Sequence, residues 1–328
     1  MTHVVVIGAG ISGLMAASSL RQRGLNVTVL DKGRGVGGRL ATRRITTPQG
    51  DTAVLDHGAQ FFTVRSPVFE PIVQSWLDAG IVRQWCRGFA GDDGHPRYVV
   101  NGGMTALAKY VALNAGSPLD VRTSTLVFEV RAGVTSAWTV MIDDGSTIDC
   151  DAVITTCPLL QSYSLTVATG AELPQDLLLS DYDRTLGILT VLDGPANIPA
   201  PGGLQNPDDV FSWIGDNAAK GISSVPAVTF HANPQWSADH WEDSTEHGRA
   251  ALLEAARPYL GDATVIVAEY KKWRFATPRS LWPEPYLVSP ADPGTLVFAG
   301  DAFAGPKVEG AVLSGLAAAQ YLSEKLAE

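Results

Sequence analysis

Cysteine is scarce. The 328-residue chain holds three, Cys86, Cys150 and Cys157. They form no CxxC pair, and any disulfide scheme leaves one over, which excludes a disulfide-stapled secreted scaffold. The thiols read as structural ones in a reducing cytoplasm. Long apolar runs are missing as well. None approaches the ~20 residues a membrane helix needs, the apolar N-terminus lacks the basic flank of a signal peptide, and no tail anchor is expected after the last helix. Positive charge is the third deficit. Against 34 Asp and Glu stand only 24 Lys and Arg, a net charge of −10. That balance argues against nucleic acid or an anionic membrane as partner. No metal site is expected, because His240 and His247 are neither helical neighbours nor a zinc pair. No elbow motif supports a hydrolase triad.

Glycine is what the chain has in plenty, 33 residues, and the glycines are organised. In residues 3–31 an apolar run, Val4-Val5-Val6-Ile7, leads into Gly8-Ala9-Gly10-Ile11-Ser12-Gly13, then an apolar-periodic helix with Leu14, Ala17 and Leu20. Gly24 stops that helix, and a second short strand ends at Asp31. This is the spacing of a dinucleotide site. Gly8 permits the tight turn, Gly10 lets a pyrophosphate approach the backbone, and Gly13 lets helix and strand pack closely. The helix N-terminus then holds the phosphates. Asp31 stands where a carboxylate accepts hydrogen bonds from an adenosine ribose and repels a 2′-phosphate, so an NADP-type ligand is not expected there. A second glycine loop follows at once, Lys32-Gly33-Arg34-Gly35-Val36-Gly37-Gly38-Arg39. A plain NAD domain has no need of it; a longer ligand does.

The rest of the chain divides by texture. Residues 66–85 predict a helix with Phe69, Val73, Trp76 and Leu77 on one face, stopped by Gly80. Another helix follows Asn101-Gly102-Gly103-Met104. Strand-like pieces surround the hairpin signal Asp143-Asp144-Gly145-Ser146, and a buried strand ends at Pro158. Between residues 159 and 290 prolines become frequent and five of the eight tryptophans fall between 211 and 282. Strands are expected at 185–192, 210–214, 225–231 and 264–274, and a helix at 244–259. The last segment resembles the first in pattern. A strand ends in Gly300-Asp301, a loop spans 305–311, and an Ala-rich helix spans 311–326.

Four elements stand together: the GxGxxG…D unit, the GGR loop, the strand ending at Pro158, and the C-terminal GD…EGA helix. With them the sequence resembles the FAD-containing amine oxidase superfamily, and within it more closely the renalase-like branch. The matching pieces are DKGRGVGGR (31–39), LDHGAQFFT (55–63), NGGMTAL (101–107), KKWR (271–274) and AGDAFAGPKVEGAVLSGLAAA (299–319). The resemblance implies an α/β fold: a doubly wound, Rossmann-like FAD-binding domain with an inserted mixed-sheet α+β substrate domain. The expected boundaries are 1–65, 101–158 and 291–328 for the first, 66–100 and 159–290 for the second.

It also implies roles. Asp31 would hold the ribose of FAD, Lys32 and Arg39 would neutralise phosphate charge, and the backbone of Val127 would pair with the adenine edge. Asp301 would bind ribityl or pyrophosphate groups. The N–H groups near Glu309, Gly310 and Ala311 would face the flavin N1–C2=O edge, where a helix N-terminus favours the negative charge of reduced flavin. Gly38, Gly58, Ala59, Gln60, Phe61 and Gly300 complete the expected cofactor shell. Substrate-facing candidates are Phe61, Phe62, Trp213, His231 and Trp273. Amine oxidases often hold a lysine, through water, at flavin N5, yet the strand that would carry it, within 182–192, has none; Lys271 and Lys307 lie elsewhere in the pattern. No cysteine flanks the C-terminal flavin loop, and a covalent link through His57 is not expected, so FAD would be held non-covalently.

Renalase-like enzymes oxidise misreduced isomers of NAD(P)H and pass the electrons to oxygen, giving peroxide. Such dihydropyridines release hydride without a base, which suits the missing lysine. The alternatives are an amine oxidase or other small-molecule dehydrogenase on the same scaffold, a non-catalytic binding protein, and a simple NAD dehydrogenase. The last leaves the second glycine loop and the C-terminal helix unexplained.

Overall fold

The computed structural model describes residues 2–89, 94–179, 181–291, 293–303 and 305–328. Its central sheet has six strands in the order Leu287–Val288, Leu296–Phe298, Ala152–Thr155, His3–Ile7, Asn26–Leu30 and Asp120–Arg122. The pairs are parallel, apart from the antiparallel edge strand Leu287–Val288. Strands covered on both faces read as continuous apolar runs, and Val4, Val5 and Val6 are fully buried. The sheet is thus assembled from the first, middle and last parts of the chain.

Helices Ile11–Gln22 and Lys307–Lys325 pack together on one face, burying Leu14, Ala17, Val312 and Ala319 in one core. A Cβ at Gly315 would lie 2.2 Å from the carbonyl oxygen of Ser12, so this crossing needs glycine. The other face carries the three-stranded meander Val127–Ala132, Trp138–Ile142 and Thr147–Cys150. Its Trp138 is buried with Val5, Ile7 and Phe298.

A second sheet has five strands, in the order Gly203–Gln205, Phe211–Asp216, Ala227–Ala232, Tyr182–Leu192 and Val265–Pro278, with antiparallel pairing. Helix Thr245–Leu260 covers it, setting Leu252, Ala256 and Leu260 against Leu186, Ile188 and Phe230. The Ser244 hydroxyl caps this helix by accepting from the His247 N–H at 3.2 Å.

Two elements differ from expectation. Residues 66–85 are not one helix. Helix Glu70–Asp78 ends before Gly80, at φ +68°, and strand Val82–Cys86 then pairs with Arg97–Val100. The apolar stripe persists past Gly80 because Val82 faces the core as a strand residue. That helix, expected with the substrate domain, buries Val73 and Trp76 in the core that holds Val4 and Leu14. The closing helix begins at Lys307, so most of the expected loop 305–311 forms its first turn. Pro306, the cap residue just before it, is extended, with φ −75° and ψ 176°, and Lys307 turns the chain with φ +75°. Among the described residues no helix is long and apolar enough to cross a membrane, and no group of three or more His, Cys, Asp or Glu is placed to hold a metal.

Candidate active site

A cavity of about 610 Å³ is lined by segments of both sheets: Gly10–Ser12, Gly37, Arg39, His57–Ala59, Phe61, Thr185, His231, Trp273, Gly300, Asp301 and the start of the closing helix. Its nucleotide end is built mainly from backbone. Asp31 Oδ2 accepts the Ala9 N–H at 2.7 Å and Oδ1 accepts the Gly33 N–H at 2.6 Å. The acid therefore ties the first glycine turn to the second. Gly37 reinforces the tie by donating to the Ala9 carbonyl at 2.8 Å. Arg39 grips Asp301 with two parallel bonds, 2.6 and 2.7 Å, across 262 residues of chain. The Glu309 carboxylate accepts from the N–H groups of Arg65 (3.1 Å) and Ser66 (2.5 Å).

These features fit an adenine dinucleotide. No atom lies within 4 Å of where a Cβ on Gly10 would stand. Ser12 Oγ is buried at the helix start with no protein partner, and unsatisfied first-turn N–H groups border the same cavity. The volume is that of a small-molecule site.

The other end is built from side chains. The His57 carbonyl accepts from Trp273 Nε1 at 2.8 Å and from His231 Nε2 at 3.1 Å. Since a carbonyl only accepts, Nε2 of His231 carries the proton and its Nδ1 is an acceptor. The rings of His57 and Trp273 stack at 5.4 Å. Burial lowers the pKa of both histidines to about 4, helped at His57 by the Lys271 cation. Both imidazoles are therefore neutral at neutral pH. Register explains the grouping: Gly187 lies opposite both His231 and Lys271, and Thr185 lies opposite Trp273. Directly paired residues project to one face of a sheet. A Cβ at Gly187 would lie 3.2 Å from His231 Cδ2, so the imidazole takes the space a longer residue there would need.

Other expected site residues lie away from the cavity lining or reach it only at its edge. Lys32 reaches Gln161 at 3.3 Å on the surface. Gln60 is buried and folds inward, donating to the Asp56 carbonyl at 2.7 Å. Phe62 borders the cavity but is buried in the core with Phe69, Trp76 and Tyr98. Trp213 stands behind Phe61, ring centres 5.4 Å apart. Val127 pairs with Ile142 on the edge strand of the meander.

Sequence reasoning missed the buried ion pair of Lys220 with Asp56, Nζ 2.9 Å from Oδ2, beneath the His57–Phe61 wall. It named Lys271 but set it apart from the site; its amine is turned onto Glu269 at 2.7 Å. Neither has a local signature; the register of neighbouring strands was the signal needed for Lys271.

Comparison with known proteins agrees with this architecture. Residues 6–76 match the NAD(P)-binding Rossmann-like domain, and residues 82–323 match the flavin containing amine oxidoreductase family. Curated relatives include the tRNA 5-methylaminomethyl-2-thiouridine biosynthesis bifunctional protein MnmC of Chromohalobacter salexigens, 28% identical over 88% of this chain and 48% of that protein. Another is protoporphyrinogen oxidase 2 of Arabidopsis thaliana, 45% identical over 23% of this chain and 13% of that protein. The acetone monooxygenase of a Gordonia species is 27% identical over 48% of this chain and 25% of its own length. The chain thus spans less than half the length of each of these relatives. Among solved structures, an oxidoreductase from Methanosarcina mazei shares the fold at 16% identity and a TM-score of 0.66, covering 97% of this chain and 100% of that one. A redesigned putrescine oxidase does so at 16% identity and a TM-score of 0.65, covering 99% and 98%. With the family's match running over most of the chain and a dinucleotide cradle at its head, this chain belongs to the flavin containing amine oxidoreductase family.

Proposed function

We propose that the chain is a renalase-like oxidase that takes hydride from isomeric dihydronicotinamides, misreduced forms of NAD(P)H, and delivers the electrons to oxygen. One observation carries this reading: the side-chain end of the cavity is walled by aromatic rings and by two imidazoles held neutral. An ammonium substrate must lose a proton before its α-carbon gives up hydride, and general bases work best with a pKa near the operating pH. His57 and His231, at about 4, are far below it. Of the carboxylates on the cavity lining, Asp301 is paired with Arg39, and Glu309 accepts backbone N–H groups. A dihydropyridine has a ring nitrogen lone pair in conjugation and needs no base.

Bound FAD supplies a two-electron acceptor that oxygen can re-oxidise. The protein's part is orientation. Trp273 and Phe61 offer flat walls, while Nδ1 of His231 offers an acceptor to a ring substituent. Asp31, Arg39–Asp301 and the helix starts at Ile11 and Lys307 hold the cofactor. The net change passes one hydride and one proton to oxygen, leaving an aromatic pyridinium and hydrogen peroxide. In this reading the cofactor is held non-covalently. Residues 1–65, 101–158 and 291–328 carry the cofactor, with helix Glu70–Asp78 packed into their core, and the rest of 66–100 together with 159–290 shapes the substrate side.

Anaerobic mixing tests the proposal. The flavin band should bleach rapidly with 2- or 6-dihydro-NAD and slowly with primary amines. Bleaching by amines alone would favour the amine oxidase reading and end this one.

A further inference from the structure

We propose that Lys220 and Asp56 form a buried clamp that positions the His57–Phe61 wall and, through it, the bound FAD. The two side chains are 1% and 0% exposed. An ion pair removed from water stabilises a protein no better than a well-packed apolar pair of similar volume. Stability therefore does not explain why charges stand here; the geometry they impose does.

That geometry is complete on the inner side of the turn. Asp56 Oδ1 accepts from Thr42 Oγ1 at 2.6 Å and from the Met104 N–H at 2.7 Å, while Lys220 Nζ lies 2.9 Å from Oδ2. Lys220 also donates to the Gln60 carbonyl at 3.2 Å and approaches its Oε1 at 3.4 Å. Gln60 Nε2 in turn donates to the carbonyls of Asp56 (2.7 Å) and Gly58 (3.1 Å). Asn217 accepts the Asp56 N–H at 3.2 Å. The inner groups of the turn are thus consumed by the clamp, and its outer groups, His57, Gly58, Ala59 and Phe61, line the cavity. The Gln60 carbonyl gripped by Lys220 sits between two lining residues, so a shift of the ammonium moves the wall directly. The Lys220 charge also bears on His231, opposing its protonation. Lys220 and Asp56 are positioning residues and touch no substrate.

The inference is independent of which substrate is oxidised, so its test uses none. FAD release from the diluted holoenzyme is followed by flavin fluorescence, beside the visible spectrum and the thermal midpoint of the FAD-free protein. Two variants are compared. Lys220→Met/Asp56→Asn removes both charges and keeps the volume. Gln60→Leu keeps the ion pair and the Lys220 bond to the main-chain carbonyl of residue 60, and cuts the side-chain links to Lys220 and to the Asp56 and Gly58 carbonyls. Each should weaken FAD binding by about tenfold or more, the scale of one lost charge-assisted hydrogen bond, and blur the resolved shoulders of the flavin band. The thermal midpoint of FAD-free Gln60→Leu should change little. If the variants only lower the midpoint, with FAD release and spectrum as in the parent, the pair is structural and the proposal is overturned. Should the double variant fail to fold, Gln60→Leu decides: parental FAD retention and spectrum in that variant overturn the clamp.

Discussion

Arg39–Asp301 and Lys220–Asp56 both join distant parts of the chain at one cavity, yet they work in opposite surroundings. The first lines the cavity, with side chains 29% and 11% exposed. The second lies beneath the wall, with every charged atom withdrawn from water. The same contrast runs through the two ends of the site. At the nucleotide end, glycine backbone, the Ser12 hydroxyl and helix-start N–H groups are left to meet a ligand. At the other end, the Asp56–Lys220–Gln60 cluster is bonded within the chain and an aromatic wall is presented, although His57 Nδ1 and Trp213 Nε1 are buried there with no partner. Groups that meet a ligand must stay unsatisfied in the protein alone; groups that hold a shape must not.

Several substitutions sharpen or break that contrast. The largest effect is expected from Asp56→Ala, which strands the Lys220 ammonium in the interior. Breaking a buried pair from one side costs roughly 3–5 kcal/mol, read as a fall in urea unfolding free energy with or without FAD. A loss under ~1 kcal/mol would mean the pair is hydrated after all.

Acid is the next lever. His57 and His231 have folded pKa values of about 4, below the 6.5 of an open histidine. Between those values the unfolded chain binds more protons than the folded one. Their contribution is therefore fully present above pH 6.5 and is lost as pH falls towards 4. Each histidine accounts for at most roughly 3 kcal/mol. The urea midpoint should drop over that window, and His231→Asn should flatten part of the drop. An unchanged slope in the variant would clear His231 of any part in it.

Arg39→Ala probes the exposed pair. The protein should fold, and FAD release on dilution should rise by about 10- to 100-fold, the weight of a charge-assisted double bond. Equal retention of FAD would mean that the Arg39–Asp301 pair takes no part in holding the cofactor. The smallest effect belongs to Trp273→Phe, which keeps a ring and loses one donor to the His57 carbonyl. It should cost about 0.5–1.5 kcal/mol of stability and leave FAD retention intact. KM for a dihydronicotinamide should rise about threefold, since a flat wall remains for the ring to stack on.

How much could be read in advance follows the same division. The glycine turn, Asp31 and the GD strand end were legible because each depends on residues a few positions away. Register was not. That Gly187, His231 and Lys271 stand abreast is a property of three strands from different parts of the chain, and no strand's own period names its partner. Phe61 and Phe62 look alike as neighbours in a sequence; both border the cavity, but Phe62 is buried and stacks on Tyr98 in the core while Phe61 is only half-buried.

By itself, then, the order of amino acids determined the nucleotide cradle and the class of fold, since local spacing sets turns, helix starts and apolar periods. Only the tertiary structure decided which side chains wall the other end of the cavity and that a lysine lies sealed beneath them. Burial and strand pairing are set by contacts between residues far apart in the chain, and those exist only once the chain has folded.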